Sequence, residues 1–161
     1  QVGFKESASE ILSKEKIEIE GVCAGAAIYS VKALEAVKLD NENYFDSNFF
    51  AYFEDVDLSL RLKSAGFKAK LLKDSIVYHM HSATGGKTSG FKEYYLTRNL
   101  FMYTKRNQSL EEYNKHKKEY YIRFLKTVIK NINNFNAVKS AIKGLNDGLK
   151  ESKKIEYWKV Q

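Results

Sequence analysis

The sequence contains no proline and one cysteine, and it has no long uninterrupted apolar run. Proline makes up about 5% of an average protein, so its absence is unusual. The single cysteine, Cys23, excludes an internal disulfide framework and fits a reducing compartment. Because no apolar stretch approaches the roughly 18 residues of a membrane span, we expect neither a transmembrane segment nor an export signal. The chain begins with Gln1 rather than Met, so we expect a fragment whose upstream part is missing.

Aromatic residues are abundant, with eleven Tyr and ten Phe among 161 residues, which supports a packed interior. Charge is uneven: residues 1–104 carry 13 Lys/Arg against 14 Asp/Glu, net −1, and residues 105–161 carry 14 against 6, net +8. Such a tail suits nucleic acid, anionic lipid or an acidic partner, although a solvated lysine-rich helix face is the commoner explanation. It has no recognisable nucleic-acid-binding motif, so we expect no nucleic acid partner.

A group of acids follows a group of aromatic residues between positions 44 and 61. The aromatic residues are Phe45, Phe49, Phe50, Tyr52 and Phe53, and the acids are Glu54, Asp55 and Asp57. Carboxylates are favoured where free backbone N–H groups open a helix, which predicts a helix that starts here and is closed by Gly66. Its many leucines predict that it is buried.

Helix geometry separates the three acids. At about 100° per residue, Glu54, Asp57 and Arg61 share one face, while Asp55 points away. Asp57 and Arg61, four residues apart, predict a structural ion pair. Asp55 has two interpretations: a general base for an incoming hydroxyl group, or a carboxylate that only caps the helix.

The segments around this helix predict an α/β layer. Two short extended pieces meet at a turn near Gly25, and a helix from Val31 to Val37 follows with Ser30 as its N-cap. After the acidic helix, residues 67–72 and 75–79 have the composition of strands.

Two histidines and a glycine-rich loop follow the second predicted strand. His79 and His81 face the same way if the strand continues, and such a pair suits a divalent metal, although two histidines alone do not define a site. Gly86 and Lys87 do not form a phosphate loop, because His81 stands where the motif requires glycine.

From Phe91 onward the pattern predicts three helices, the second capped by Ser109 and the third covering residues 137–149. The second is basic and amphipathic, and two interpretations stay open: its apolar stripe packs on the domain, or it lies in a membrane interface. The apolar positions of this stripe are Tyr113, Tyr120, Tyr121, Phe124, Leu125, Val128, Ile129, Ile132 and Phe135.

Several segments together resemble a known family. They are residues 25–34, 45–61, 65–67, 77–79, 94–99 and 144–149, and they occur in the order and at the separations typical of the second half of a bacterial family-2 glycosyltransferase of the rhamnosyltransferase-like branch. The resemblance implies an α/β fold: residues 1–104 would be the acceptor-side half of a GT-A (nucleotide-diphospho-sugar transferase) domain, and residues 105–161 a basic amphipathic helical tail.

The resemblance also implies an activity. The full chain would be an inverting transferase that moves a sugar, with rhamnose as one candidate, from a nucleotide-sugar donor to a hydroxyl of a saccharide or lipid-linked acceptor of the cell surface. In this family the second acid of the Glu-Asp pair is the base, which corresponds to Asp55. A divalent cation, Mn²⁺ or Mg²⁺, would stabilise the leaving diphosphate, with His79 in the place of its histidine ligand and His81 as a weaker match.

The remaining site residues come from the same resemblance. Glu54 would contact substrate, the Gly85-Gly86 loop would close near donor and acceptor, and Cys23, Ala24 and Gly25 would line the acceptor pocket. The family's metal-binding Asp-x-Asp lies upstream of Gln1 in relatives, and Asp55-Val56-Asp57 belongs to the base motif instead.

We therefore expect the 161-residue chain alone to be inactive. We also expect it either to self-associate, through the sheet edge and apolar face that the missing part would cover, or to need the rest of its chain. The expected location is the cytoplasm, with peripheral contact between the basic tail and the anionic inner face of the membrane. The alternative function is a non-catalytic basic module that binds membrane or nucleic acid through residues 105–161.

Overall fold

Five α-helices and two short 3₁₀ turns make up the regular structure in the computed structural model, which describes residues 9–10, 13, 19–40, 43–72, 74–78 and 90–155. The helices are α1 (Val31–Ala36), α2 (Glu54–Ser64), α3 (Phe91–Asn107), α4 (Leu110–Lys130) and α5 (Phe135–Glu151), and the 3₁₀ turns are Ala24–Ala26 and Ser152–Lys154. Helices account for 63% of the described residues. No helix in these ranges is long and apolar enough to cross a membrane.

The predicted α/β fold is wrong, because none of the described residues lies in a strand. Residues 67–72 and 74–78 are irregular, and the side chains of Ile76, Val77 and Tyr78 are exposed to solvent. The physical reason is that a strand needs a neighbouring strand to accept and donate its backbone hydrogen bonds, whatever the β-propensity of its side chains. The described part of the chain provides no such neighbour. The predicted partial GT-A fold is therefore wrong for the residues that the structure describes.

The predicted helices are confirmed, with small changes at their ends. Helix α2 starts at Glu54 with three acids in its first turn, and Gly66 follows it with a left-handed φ of 84°. Ser109 caps α4 in a capping box: its hydroxyl accepts from the Glu112 backbone N–H at 3.2 Å, and the Glu112 carboxylate accepts from the Ser109 backbone N–H at 2.8 Å. Helix α5 runs from Phe135 to Glu151, two residues beyond the predicted range at each end.

Helices α3 and α5 pack closely because α5 presents small residues to α3. Ala137, Ala141, Gly144 and Gly148 are buried along one side of α5. A Cβ atom at Gly144 would lie 2.4 Å from the carbonyl oxygen of Tyr94 in α3. A core cluster of Leu100, Phe101 and Tyr120 joins α3 to α4, and partly buried apolar side chains surround it, namely Phe53, Tyr113, Leu145 and Leu149.

Candidate functional site

Asp55 lies at the open end of α2, beside the loop that precedes the first 3₁₀ turn. One of its carboxylate oxygens accepts a hydrogen bond from the backbone N–H of Ala24 at 3.2 Å, and the other accepts from the backbone N–H of Val56 at 2.8 Å. The carboxylate is partly exposed, while Cys23, Ala24 and Gly25 are exposed. The structure therefore brings Asp55 next to the residues that the resemblance assigns to the acceptor pocket, although 31 positions separate Asp55 from Ala24 in the sequence.

Gly21 and Ser59 hold this loop against α2. The Ser59 hydroxyl accepts from the backbone N–H of Val22 at 3.1 Å. A Cβ atom at Gly21 would lie 2.2 Å from the Cβ of Ser59, so a larger residue at position 21 would displace the loop. Gly21 therefore allows a close approach between this loop and α2.

Glu54 and Tyr29 add two polar oxygens that are enclosed near Asp55. The Glu54 Oε2 and the Tyr29 hydroxyl oxygen are buried atoms, and neither has a hydrogen-bond partner among the described residues. Burial raises the pKa of Glu54, and the nearby charge of Asp55 raises it further. Burial also raises the pKa of Tyr29, with smaller contributions from Asp55, Cys23 and Glu54. Tyr29 is therefore a neutral hydroxyl group that can donate a proton to a hydrogen bond beside the carboxylates.

Asp57, unlike Asp55, is fully buried. Helix geometry predicted that the two side chains point in different directions. Its side chain and that of Arg61 are fully buried, and the Arg61 Nε donates to an Asp57 oxygen at 2.9 Å. The Asn107 side-chain amide donates to the other oxygen at 3.0 Å. Arg61 also donates to the carbonyl oxygens of Val37 and Tyr44. Burial lowers the pKa of Arg61, and the charge of Asp57 opposes that change. Both carboxylate oxygens of Asp57 are thus committed to structural bonds.

A turn of unusual backbone conformation precedes Glu54. Phe50, Tyr52 and Phe53 have left-handed φ angles of 61°, 66° and 74°, which are unfavourable for residues with a large side chain. The side-chain NH₂ group of Asn99 in α3 lies 2.9, 2.7 and 2.8 Å from the carbonyl oxygens of Phe49, Ala51 and Tyr52, and its two hydrogens are shared among these three acceptors. Phe53, the N-cap of α2, makes no side-chain cap bond, so Asn99 fixes the start of the helix and hence the position of Asp55.

Sequence reasoning did not identify Asn99 or Tyr29 as parts of this site. Both belong to segments that carry the family resemblance, which is the one signal that points to them. No helical or strand periodicity connects Asn99 to a turn 47 to 50 positions earlier.

The expected metal site lies outside the described residues, as do His79, His81, Gly85 and Gly86. Within the described ranges no group of three or more His, Cys, Asp or Glu side chains could hold a metal ion. Glu54 and Asp55 alone do not form a complete ligand set for a divalent cation.

The described site therefore consists of one accessible carboxylate, one enclosed carboxyl group with a raised pKa and one neutral phenol. This arrangement can accept a proton from a hydroxyl group and hold that hydroxyl group by hydrogen bonds. Comparison of the chain with protein-family models, curated proteins and solved structures found no match.

Proposed function

We propose that the chain is part of an inverting sugar transferase in which Asp55 is the general base. The observation that carries this proposal is the different state of two carboxylates that stand two positions apart. Asp57 is fully buried and paired with Arg61 and Asn107, whereas Asp55 is partly exposed at the helix start, next to Ala24. If Glu54, Asp55 and Asp57 only capped the helix, Asp55 and Asp57 would not need such different surroundings.

The proposed reaction is a direct displacement. Asp55 takes the proton from an acceptor hydroxyl group while the hydroxyl oxygen forms a bond to the anomeric carbon of the donor sugar. The bond between that carbon and the diphosphate oxygen breaks, and the nucleoside diphosphate leaves with the electron pair. Tyr29 and Glu54 lie beside Asp55, and each would have to turn its enclosed, unpartnered oxygen toward the site to bind the acceptor hydroxyl group.

A divalent cation, when bound, would neutralise charge on the leaving diphosphate. The cytoplasm remains the proposed compartment, since the exposed thiol of Cys23 fits a reducing environment. The acceptor would be a saccharide or a lipid-linked sugar.

The test compares the full-length gene product with its Asp55→Asn variant on a panel of nucleoside diphosphate sugars with Mg²⁺ or Mn²⁺. Loss of a general base lowers turnover by about 10²- to 10⁴-fold. We expect this loss in transfer, with donor binding by calorimetry nearly unchanged. Asp74→Asn is the matched control, because it makes the same change at an exposed carboxylate outside the described site and should keep full activity.

Retention of transfer by a folded Asp55→Asn variant would remove Asp55 from the base role. Failure of the wild-type protein to use any donor would remove the transferase proposal altogether. The alternative function, a module that binds a membrane without catalysis, is favoured by a separate observation on α4.

A further inference from the structure

Helix α4 has two apolar faces, and one of them packs against the rest of the protein. Tyr120 is buried beside Leu100 and Phe101, Tyr113 packs on the same cluster, and Phe124 is partly buried. This face accounts for the interpretation in which the aromatic stripe covers the domain.

The second apolar face of α4 points to solvent. We name it the outward face, and it consists of Ile122, Leu125, Ile129 and Ile132. Leu125 is 53% exposed, Ile129 66% and Ile132 70%. At about 100° per residue the three helical members fall within an arc of about 60° on the side away from Tyr120. Phe135, which opens α5 just after the turn, is 77% exposed and extends the apolar surface along the chain.

Basic residues border the outward face. Arg123, Lys126 and Lys130 are exposed on the neighbouring side of the same helix turns. Between residues 113 and 132 the sequence has six Lys/Arg and one Glu, a net charge of +5. An exposed aliphatic stripe beside a cationic one is the pattern of helices that lie in the plane of a membrane interface.

We propose that the outward face of α4 binds the surface of an anionic lipid bilayer. Its aliphatic side chains would enter the boundary between head groups and acyl chains, and the long stems of Lys126 and Lys130 would let their ammonium groups reach lipid phosphates. The helix would lie along the bilayer, since no described helix is suited to cross it. This binding does not depend on the proposed role of Asp55.

The charge argues for lipid rather than for a second copy of the chain. Two copies joined through their outward faces would bring together two helix segments, each of which carries a net charge of +5 over residues 113–132. An anionic bilayer offers the opposite charge and an apolar layer beneath it. It therefore complements both the outward face and the basic residues that border it.

Vesicle flotation of the 161-residue chain tests the proposal, using phosphatidylcholine alone and phosphatidylcholine mixed with phosphatidylglycerol. We expect the chain to float with the anionic vesicles and less of it to do so as salt is added. Leu125→Ser with Ile129→Ser should weaken the binding by about tenfold or more. Lys126→Gln with Lys130→Gln should reduce the preference for anionic vesicles. Val31→Ser is the matched control, because Val31 is 71% exposed but lies on α1.

A site-specific label gives a second measurement. With Cys23 replaced by Ser, a cysteine introduced at Ile129 can carry an environment-sensitive fluorophore, and one introduced at Lys32, which is exposed on α1, can serve as the control position. We expect a blue shift on anionic vesicles at position 129 and a smaller one at position 32.

Three outcomes would overturn the proposal. They are equal binding to neutral and anionic vesicles, undiminished binding by the folded double serine variant, and absence of binding by the wild-type chain. If sedimentation shows an oligomer that Leu125→Ser with Ile129→Ser converts to a monomer, and vesicles are not bound, the face is instead a contact between copies.

Discussion

Asp55 and Asp57 have the same side chain, but they differ in solvent exposure and in hydrogen-bond partners. The Asp57 carboxylate is completely desolvated. Its burial is tolerated because Arg61 and Asn107 donate hydrogen bonds to both of its oxygens. Asp55 keeps contact with solvent and has one backbone donor on each oxygen. Of these two residues, only Asp55 can react with an incoming molecule.

Replacement of Asp57 by Ala should destabilise the fold strongly. Arg61 would remain buried without its carboxylate partner, and removal of one member of a buried pair costs about 3–5 kcal/mol. Urea denaturation followed by circular dichroism measures this loss. Asp57→Leu combined with Arg61→Met should recover part of it, because no unpaired charge is then left in the interior.

Asp55→Asn provides the comparison, since a partly exposed carboxylate should change the free energy of unfolding by less than about 1 kcal/mol. If the Asp57 and Asp55 replacements had equal effects on stability, the structural distinction between the two residues would be refuted.

At the scale of elements, the signals that succeeded are contained within one or two turns of chain. Ser109 predicted the start of α4, and Gly66 predicted the end of α2, because each acts on backbone groups only a few positions away. The separation of Asp55 from Asp57 followed from helix geometry in the same way.

The signals that failed depend on a partner far along the chain. Ile76, Val77 and Tyr78 have high β-propensity, but propensity cannot provide the neighbouring strand that a sheet requires. Likewise, the bonds from Asn99 to the turn before α2 exist only after α3 has packed against that turn. The carboxylates of the candidate site were therefore predictable, whereas Asn99 and Tyr29 were not.

The contact between α3 and α5 leads to a prediction for two glycines. Gly144→Ala would place a Cβ atom 2.4 Å from the Tyr94 carbonyl oxygen, and Gly148→Ala would place one 2.6 Å from that of Arg98. Both neighbours are backbone atoms, so the helices must separate, and overpacking of this kind costs about 1–3 kcal/mol. Alanine also improves helix propensity by about 1 kcal/mol, which offsets part of that cost. We expect a net loss of stability in thermal unfolding.

Asn146→Ala is the control for propensity, because Asn146 is exposed on the same helix and its replacement should stabilise the fold slightly. Increased stability of both glycine variants would show that the helices do not approach as closely as Gly144 and Gly148 allow.

At the scale of the whole molecule, polar contacts tie the acidic region to the helical region. The Asn99 amide reaches the turn before α2, Asn107 donates to Asp57, and Arg106 pairs with Asp46. These three residues belong to α3, which runs from Phe91 to Asn107 and so passes through the boundary predicted between residues 104 and 105. That division into two domains stays a prediction.

Because of these contacts, we predict that α2 and α5 unfold in one cooperative transition. Native-state hydrogen exchange should give their most protected amides the same free energy of opening. Asn99→Leu leaves three carbonyl oxygens without their donor, so it should lower both values together by about 1–3 kcal/mol. Lys92→Ala, an exposed change on α3, should leave both values unchanged. If Asn99→Leu lowered the value for α2 alone, the two regions would be independent units, and a domain boundary near residue 104 would gain direct support.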